Sequence, residues 1–437
     1  MLNNMEQIST KAKEASLVLA GLSTQLKNDA LEAIANALIK SKAYIMTQNE
    51  EDLKKAKVLL EKGEISQAIY DRLKLSDAKF NDVISGVLDV KKLQDPVNQT
   101  LCGTKLDEGL ELYKVSCPIG VIGVIFEARP DVVVQISSLA IKSSNAVILK
   151  GGIEAILTNN AFVKIINETL AQINGFPSNV INFVESREDV AQMLSMDKYI
   201  DLIIPRGSNK LVQYIQNNTK IPVLGHADGI CHIYIDENAN TELGVKVAVD
   251  SKIQYPAACN AVETLLVSEK IAADFLPKLY DAMAKENVRL KGDKLVKAIL
   301  PKIEDATEDD WKTEYGDKIL AIKTVSSLEA AINHINTYGS GHTDCIISEN
   351  YANVDKFMAL VDSAGVYHNA STRFADGFRY GLGAEVGIST NKTHARGPVG
   401  LEGLTIYKYK LFGHGQIVAQ YTGSDAKKFL HERISWW

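Results

Sequence analysis

Two hydrophobic patterns divide the chain. Up to about residue 93, apolar side chains recur every three or four residues, as at Leu31, Ile34 and Leu38, and this spacing is typical of amphipathic helices. Residues 105–117 then combine a turn with alternating polar and apolar positions, which predicts a strand that leaves the domain body. We therefore expect a helical N-terminal part followed by an extended excursion.

From residue 118 onwards the pattern predicts an α/β fold. Short, continuously apolar segments alternate with segments of helical spacing. Strands that are apolar on both faces indicate a parallel sheet covered by helices, and such sheets bind ligands at the carboxyl ends of their strands. The predicted strands are residues 121–126, 146–150, 180–184 and 202–205 in a first section, and 231–235, 262–267, 320–325, 345–348 and 366–369 in a second.

The last part of the chain has a pattern of its own. Residues 370–403 are rich in glycine and hold few apolar runs, and a segment of this length in a compact domain is usually functional. Residues 404–412 predict a strand, and residues 425–434 predict a short closing helix. Because 437 residues exceed what one hydrophobic core usually organises, two large domains are expected.

Composition and charge exclude several classes of protein. The formal net charge of −6 argues against a nucleic-acid binder, which normally has a strongly basic surface. The N-terminus lacks the basic start and apolar core of a signal peptide, and no apolar run approaches the ~20 residues that span a bilayer. We therefore expect a protein that has no role in membranes and binds no nucleic acid.

The cysteines indicate the compartment. They are odd in number, widely separated and without a C-x-x-C pair, which fits neither a disulfide framework nor a zinc site. A reducing cytoplasm is the simplest setting, and no resident metal is expected. The five residues are Cys102, Cys117, Cys231, Cys259 and Cys345.

One of these cysteines has a distinctive position. Cys259 stands among small residues after Pro256 and before the apolar run 262–267, so it is predicted to lie in a loop that leads into a buried strand. A nucleophile is presented in this way. Free cysteine is also often a small, inert core residue, and the local pattern leaves both interpretations open.

Two turns have features of phosphate-binding sites, although no G-x-G-x-x-G follows the first strand. Lys150-Gly151-Gly152 and Arg206-Gly207-Ser208 each end a predicted strand and open a helix. Glycine lets backbone N–H groups approach a phosphate at a helix N-terminus, and a neighbouring cation neutralises it. Ordinary strand-to-helix turns remain the alternative.

Two further positions carry candidate chemistry. Arg129 follows the strand 121–126 and either binds an anion or pairs with Glu127 or Asp131. His226 lies in the crossover between the two α/β sections, where a structural hinge histidine is the alternative to a role in the site.

Five segments together resemble gamma-glutamyl phosphate reductases, a family of the aldehyde dehydrogenase superfamily. The resemblance runs from about residue 8 to the C-terminus, and its motifs are long. The segments are 120–130 (GVIGVIFEARP), 204–209 (IPRGSN), 258–266 (ACNAVETLL), 381–390 (GLGAEVGIST) and 394–398 (HARGP).

The resemblance implies an activity and a fold. The activity is the NADPH-dependent reduction of L-glutamate 5-phosphate to L-glutamate 5-semialdehyde and phosphate in proline biosynthesis. The fold is aldehyde dehydrogenase-like, with two doubly wound α/β domains and a small β oligomerisation arm. The implied parts are a cofactor-binding domain (1–101 and 118–227), a catalytic domain (228–403), oligomerisation strands (102–117 and 404–424) and a C-terminal helix (425–437).

The resemblance also implies roles for individual residues. It makes Cys259 the catalytic nucleophile and puts Arg129 where oxidising relatives hold an asparagine that stabilises the oxyanion. Residues 221–229 contain no glutamate, the base that activates water in those oxidising enzymes. For cofactor binding it implies Lys150, Gly207, Ser208 and Glu314, to which the two phosphate-suited turns add Gly151 and Arg206. The candidates for substrate binding are Arg129, His226, Asn260, Asn369, Ser389, Thr390, His394 and Arg396.

Cofactor choice and partners follow as further expectations. Lys150 and Arg206 favour NADPH, and Ile153 stands where NAD-preferring relatives often hold a ribose-binding glutamate. The superfamily implies a homo-oligomer, a dimer or a tetramer, and glutamate kinase is a candidate partner. Two alternatives stay open: an NAD(P)-dependent dehydrogenase that oxidises a small amino-aldehyde, and a non-catalytic scaffold for glutamate kinase.

Overall fold

The computed structural model of the protein describes residues 4–226 and 228–435. The chain divides into two compact units, the first formed by Met1–Val223 with Gly400–Trp437 and the second by Leu224–Val399. The α/β fold predicted from the sequence is confirmed, while the assignment of cofactor binding to one part and catalysis to the other stays a prediction. In the described residues, no helix is both long and apolar enough to cross a membrane.

The first unit begins with the predicted helices. The serines Ser23, Ser66 and Ser76 each accept a backbone N–H at the start of a helix, which satisfies one of the free donors there. Apolar residues at three- or four-residue spacing, such as Leu31, Ile34 and Leu38, are buried. The helices are α1 (Asn4–Leu19), α2 (Thr24–Lys40), α3 (Lys42–Glu61), α4 (Gln67–Leu73) and α5 (Asp77–Lys92).

A parallel sheet forms the centre of the first unit. Its order is β5-β4-β3-β6, and every residue of β3 is buried, as expected of a strand covered on both faces. Its strands are β3 (Val121–Phe126), β4 (Ala146–Lys150), β5 (Ile181–Val184) and β6 (Leu202–Arg206), and its helices are α6 (Asp131–Lys142), α7 (Ile156–Leu170), α8 (Arg187–Leu194) and α9 (Asn209–Asn217).

The excursion from the domain body is an antiparallel sheet of the order β16-β2-β1-β17. Within 404–424 the structure has one strand, and Val418–Tyr421 forms a short 3-10 helix. The strands are β1 (Thr100–Asp107), β2 (Leu110–Pro118), β16 (Thr405–Phe412) and β17 (Glu432–Ile434).

The predicted C-terminal helix is wrong. Among the described residues of 425–437, none is helical, and Glu432–Ile434 instead pairs with β1 in the register Gly103↔Ile434. A helix of about ten residues is marginal by itself in water, and Phe429 and Leu430 remain exposed here. The edge of β1 has unpaired backbone N–H and C=O groups. By pairing with this edge, the segment gains backbone hydrogen bonds and a packed neighbour that an isolated helix would lack.

The second unit is built on a seven-stranded parallel sheet of the order β10-β9-β11-β8-β7-β12-β13. Strands β9 and β10 and helix α12 escaped the sequence patterns because they are short. The strands are β7 (Cys231–Ile235), β8 (Val262–Ser268), β9 (Arg289–Gly292), β10 (Glu304–Asp305), β11 (Ile319–Val325), β12 (Thr343–Ile347) and β13 (Gly365–His368).

Helices cover this sheet on both faces, and two separate clusters of buried apolar residues form the cores. The glycine-rich segment holds a two-stranded ribbon, β14 (Gly387–Ser389) with β15 (Gly397–Val399), and short 3-10 helices at Thr372–Phe374 and Glu402–Leu404. The helices are α10 (Thr241–Ile253), α11 (Ala272–Lys285), α12 (Lys294–Ile299), α13 (Leu328–Tyr338) and α14 (Tyr351–Leu360).

Candidate active site

The loop that carries Cys259 leads directly into the buried strand β8, as the sequence predicted. Two turns shape the loop, with Ala258 N donating to Tyr255 O at 3.1 Å and Ala261 N donating to Ala258 O at 2.9 Å. Gly229 passes so close that a Cβ there would lie 2.2 Å from the carbonyl oxygen of Cys259. Any other residue at 229 would push the cysteine out of position.

A histidine that the sequence did not single out faces the sulfur. His342 Nε2 lies 3.2 Å from Cys259 Sγ, within hydrogen-bonding distance for sulfur. The other ring nitrogen, Nδ1, lies 2.9 Å from the hydroxyl of Thr343, and the His342 side chain is buried with a relative exposure of 1%. The imidazole is therefore held in place next to the thiol.

His226 is the third member of this cluster. Its Nδ1 lies 2.9 Å from the carbonyl oxygen of Ile388, and its ring meets that of His342 edge-on, with centroids 5.1 Å apart at an interplanar angle of 86°. Ligand atoms of His226, Cys259 and His342 all lie within 4.8 Å of one another. The sequence-predicted His226 thus joins Cys259.

The three side chains meet because their loops precede neighbouring strands. Cys259 comes before β8, His226 before β7 and His342 immediately before β12, and the sheet order places these strands side by side as β8-β7-β12. The cluster therefore lies at the amino ends of parallel strands. It thus lies at the opposite end of the sheet from the carboxyl ends, where the sequence analysis expected ligands to bind.

Burial keeps the thiol and the imidazole uncharged. Burial raises the pKa of Cys259 to about 12, and the carboxylates of Glu314 and Glu385 add to the rise while Arg373 opposes it. Burial also holds the pKa of His342 well below its usual range, and the charges of His226 and Arg373 contribute. A thiol that donates to a neutral imidazole is the form that both shifts favour.

Asn260 follows the cysteine and is buried. Its amide nitrogen donates to the carbonyl oxygen of Ala375 at 2.8 Å. Its oxygen, Oδ1, is buried and has no hydrogen-bond partner in the described part of the chain. Buried polar atoms are rarely left unpaired, so this acceptor is a candidate contact for a substrate group that donates a hydrogen bond.

The remaining substrate candidates differ in how far they are engaged already. The Asn369 amide bonds both backbone groups of Ser348, at 3.1 and 3.3 Å, and Arg396 bonds Asp362 at 3.2 and 3.0 Å. The carbonyl oxygen of Thr390 accepts a hydrogen bond from Arg396 Nε at 3.4 Å. The hydroxyl of Ser389 is buried and, within the described residues, lacks a hydrogen-bond partner. Compared with Asn369, Thr390 and Arg396, Ser389 is therefore the most available for a bond to substrate.

Glu314, predicted to bind the cofactor, lies in the second unit close enough to Cys259 for its charge to raise the pKa of the thiol. Arg373 acts on the same thiol with the opposite sign and was missed by the sequence analysis. It lies with its guanidinium carbon 5.8 Å from the centre of the Tyr255 ring and donates from Nε to Gln254 at 2.8 Å.

The two predicted phosphate turns lie at the carboxyl ends of β4 and β6 in the first unit. Neither glycine leaves room for a side chain: a Cβ at Gly151 would lie 2.4 Å from Asn159 Nδ2, and one at Gly207 would lie 2.5 Å from Glu127 Oε2. Lys150 and Arg206 are half-buried at the last positions of their strands, and Ser208 is exposed. The backbone therefore passes close to its neighbours at both turns.

A carboxylate occupies the second of these turns. Glu127 Oε2 accepts the backbone N–H of Ser208 at 2.8 Å, at the start of α9. The turn thus binds an anion in the manner expected of a helix N-terminus. These groups fit the phosphate of a dinucleotide, provided that the Glu127 side chain moves aside.

Arg129 is exposed at the end of β3. The structural alternatives predicted for it are not realised, because Glu127 bonds Ser208 at 2.8 Å and Asp131 pairs with Lys79 at 3.2 Å. Within residues 4–226 and 228–435, its guanidinium makes no hydrogen bond or ion pair. Arg129 is thus an available cation in the first unit.

The family follows from the comparison of this chain with known proteins. The profile of the Aldehyde dehydrogenase family matches residues 3–309, more than half of the chain. The chain therefore belongs to the aldehyde dehydrogenase family and is an oxidoreductase.

More specific similarities lie within that family. Gamma-glutamyl phosphate reductase of Brachyspira hyodysenteriae is 59% identical over 423 residues, which cover 97% of this chain and 98% of the relative. The enzyme of the same name from Methanococcoides burtonii is 54% identical over 439 residues, 99% and 98% of the two chains. The crystal structure of gamma-glutamyl phosphate reductase from Thermotoga maritima matches with a TM-score of 0.92 at 40% identity, covering 95% of this chain and 100% of that one. The resemblance stated from the sequence motifs is confirmed.

Proposed function

We propose that the chain reduces L-glutamate 5-phosphate to L-glutamate 5-semialdehyde and phosphate with NADPH, through a thioester on Cys259, in proline biosynthesis. The relatives named gamma-glutamyl phosphate reductase support this choice of substrate. The observation that carries the mechanism is the 3.2 Å contact between Cys259 Sγ and His342 Nε2. It pairs a nucleophile with a group that accepts its proton.

The first step is acyl transfer to sulfur. As the sulfur attacks the acyl carbon, the S–H proton moves to His342 Nε2, the C–S bond forms and the carbon–oxygen bond to phosphate breaks. Because both pKa shifts favour the uncharged pair, proton transfer accompanies the attack instead of preceding it. The phosphate is a good leaving group, so the step needs little further acid catalysis.

The thioester must then survive until it is reduced. Residues 221–229 contain no glutamate that would activate water, and this composition supports reduction over hydrolysis. We assign Arg129 to the developing oxyanion or to the departing phosphate, since a guanidinium suits both. The candidates for contacts with the rest of the substrate stay His226, Asn260, Asn369, Ser389, Thr390, His394 and Arg396.

Lys150, Gly151, Arg206, Gly207 and Ser208 are the residues that we assign to the cofactor in the first unit, with Glu314 in the second. The Ser208 amide already holds a carboxylate at 2.8 Å, which supports a phosphate-binding role. When bound, the nicotinamide supplies the hydride that turns the thioester into a thiohemiacetal. The thiohemiacetal forms as an oxyanion. As it collapses to the aldehyde, the C–S bond breaks and His342 returns its proton to the departing sulfur. Two cations, Lys150 and Arg206, support NADPH over NADH.

One assay tests the proposal in the reverse direction. The purified chain is given glutamate semialdehyde and NADP⁺, with and without inorganic phosphate. We expect NADPH to form only when phosphate is present, because phosphate must take the acyl group from Cys259. Oxidation at the same rate without phosphate would make the chain an ordinary aldehyde dehydrogenase, and no turnover under any condition would support the scaffold. Equal catalytic efficiency with NAD⁺ would overturn the preference for NADP⁺.

We further propose that the β1-β2-β16-β17 sheet is an oligomerisation arm. Strand β16 is an edge strand, and its exposed faces carry large apolar residues such as Tyr409 at 60% and Leu411 at 58% relative exposure. Exposed apolar edge strands tend to pair with another chain. A monomeric mass in solution would contradict this assignment.

A kinase partner and the compartment stay predictions. Glutamate kinase mixed with the chain should co-elute in size-exclusion chromatography if the two proteins form a complex. All five cysteines are free thiols, which suits the reducing cytoplasm that we propose.

A further inference from the structure

Three soft or borderline donor atoms converge at the nucleophile. They come from His226, Cys259 and His342, and they lie within 4.8 Å of one another. Along the chain, His226 lies 33 residues before Cys259 and His342 lies 83 residues after it. This spacing matches no metal-binding sequence motif. Parallel strands β7, β8 and β12 bring them together at their amino ends.

Both imidazoles hold their Nδ1 against an oxygen. His226 Nδ1 is engaged with the carbonyl oxygen of Ile388 at 2.9 Å, and His342 Nδ1 is engaged with the Thr343 hydroxyl at 2.9 Å. An N–H that donates to such an oxygen leaves the lone pair on Nε2. Histidines that bind metals are held in this way by their second nitrogen.

We propose that His226, Cys259 and His342 bind Zn²⁺ or a similar thiophilic divalent cation, with a water in the fourth position, and that the bound ion blocks the nucleophile. One thiolate and two imidazoles select Zn²⁺ over Mg²⁺ or Ca²⁺, which prefer oxygen. Binding replaces the thiol proton, which leaves to solvent, and forms the metal–sulfur bond without any change in oxidation state. The binding stands on the geometry alone, whereas its inhibitory effect rests on the proposed function of Cys259.

The distances require a small adjustment. Bonds of about 2.0 Å to nitrogen and about 2.3 Å to sulfur place tetrahedral ligands about 3.3 to 3.5 Å apart. Cys259 and His342 already lie 3.2 Å apart, so the main movement is that of the half-buried His226 ring. His342 is buried and His226 is half-buried, so the His226 ring has more room to move onto an ion.

Cobalt absorption tests the binding without an activity assay. Metal-free full-length protein is titrated with Co²⁺, which replaces Zn²⁺ and gives a near-ultraviolet charge-transfer band when sulfur binds it. We expect one Co²⁺ per chain with this band, loss of the band in Cys259→Ala, and binding at least about tenfold weaker in His226→Ala and in His342→Ala. Exposed Cys102 and His414 provide matched controls, and Cys102→Ser and His414→Ala should bind Co²⁺ as the wild type does.

Several outcomes would overturn the proposal. These are no sulfur-to-cobalt band in the wild type, a band that persists in Cys259→Ala, or unchanged affinity in both histidine variants, which would indicate adventitious thiol binding. Zn²⁺ should also inhibit turnover of the acyl phosphate, and EDTA should restore it. If Co²⁺ binds but Zn²⁺ leaves turnover unchanged, the blocking role is wrong. If the metal-free enzyme fails to turn over the acyl phosphate while the band forms, the proposed function fails and the metal site stands.

Discussion

The two units use opposite ends of their parallel strands. In the first unit, Lys150 and Arg206 end β4 and β6, and Glu127 follows β3, so the candidate cofactor groups lie at carboxyl ends. In the second unit, Cys259, His226 and His342 precede β8, β7 and β12. The rule that parallel sheets bind ligands at the carboxyl ends of their strands therefore predicts the position of the candidate cofactor groups. It does not predict the position of the cysteine cluster. In the second unit, the order of the strands decides which loops meet.

The two sets also differ in burial. The thiol and imidazole of the second unit are held by fixed neighbours, with the backbone of Gly229 against Cys259 and Thr343 against His342. In the first unit, Glu127, Arg129 and Ser208 are exposed. A partly buried, prearranged cluster, with His342 buried and Cys259 and His226 half-buried, suits chemistry because its groups need little reorganisation. An exposed turn suits a ligand that comes and goes.

Replacing the nucleophile tests this contrast most strongly. Cys259→Ala should lower kcat for reduction of the acyl phosphate by at least about 10⁴-fold, because no other group can carry the acyl intermediate. Steady-state kinetics with NADPH measures the effect. Cys102→Ala, at an exposed position of β1, is the control and should retain wild-type kcat.

A rate near wild type in Cys259→Ala or Cys259→Ser would place the chemistry elsewhere. Cys231 is a poor control, although a free thiol, because its Sγ lies 3.3 Å from the carbonyl oxygen of Cys259.

Removal of the imidazole should have the next largest effect. His342→Ala should lower kcat by about 10³-fold with a smaller change in KM, since general acid–base catalysis contributes about 10²- to 10⁴-fold. His368→Ala is a matched control in the same unit, because the ring Nε2 of His368 contacts the Ser348 carbonyl oxygen, at 2.8 Å, and not the cysteine. Retention of most activity in His342→Ala would show that burial of the thiol, and not the pair, matters.

Much of the fold was predictable, for a physical reason. The strands β3, β4 and β7 have the bounds that their apolar runs predicted, because a strand buried on both faces must be apolar throughout. The prediction of a C-terminal helix was wrong because the local sequence pattern contains no information about the free edge of β1, with which this segment pairs. Short strands such as β10 have too few residues to show a period.

The site was predictable only in part. Cys259 stands in a local motif. Gly151 and Gly207 follow the ends of predicted strands, and a glycine at such a turn indicates a close approach of the backbone, which the structure has at both positions. His342 lies 83 residues from the cysteine that it contacts, and its role depends on the order β8-β7-β12. The one available signal was its position at the start of an apolar strand, which a structural histidine shares.

A buried ion pair next to the cysteine loop should control the stability of the second unit. Lys252 Nζ lies 2.7 Å from Glu263 Oε2, and both side chains are fully buried. Glu263→Gln or Lys252→Met alone should lower the free energy of unfolding by about 3 kcal/mol, because each leaves an unpaired buried charge or donor. The double variant Lys252→Met with Glu263→Leu should lose much less. Chemical denaturation measures all three, and additive losses would contradict the coupling.

The same pair predicts a pH dependence. Burial raises the pKa of Glu263 to about 7 from an ordinary value of 4.5. Between these two values, the folded chain holds a proton that the unfolded chain has released, so the free energy of unfolding should fall as the pH rises from about 4.5 to about 7. Burial lowers the pKa of Lys252, which acts at higher pH. Stability that rises across this window in the wild type would contradict the assignment.

The smallest expected effect concerns the exposed turn of the first unit. The Glu127 carboxylate accepts the Ser208 N–H at 2.8 Å, so it competes with a phosphate for that donor. Glu127→Gln should weaken the competition by about 1 kcal/mol and lower the KM for NADPH by about fivefold, with kcat unchanged. Glu188→Gln, at an exposed glutamate in the first turn of α8, is the control.

The direction of this change separates two roles for Glu127. A lower KM means that the carboxylate occupies the phosphate position and leaves it when the cofactor binds. A higher KM means that Glu127 itself holds part of the cofactor, and the turn is then as prearranged as the cysteine cluster. In that case the contrast between an exposed, adaptable binding turn and a partly buried reactive cluster fails for this residue.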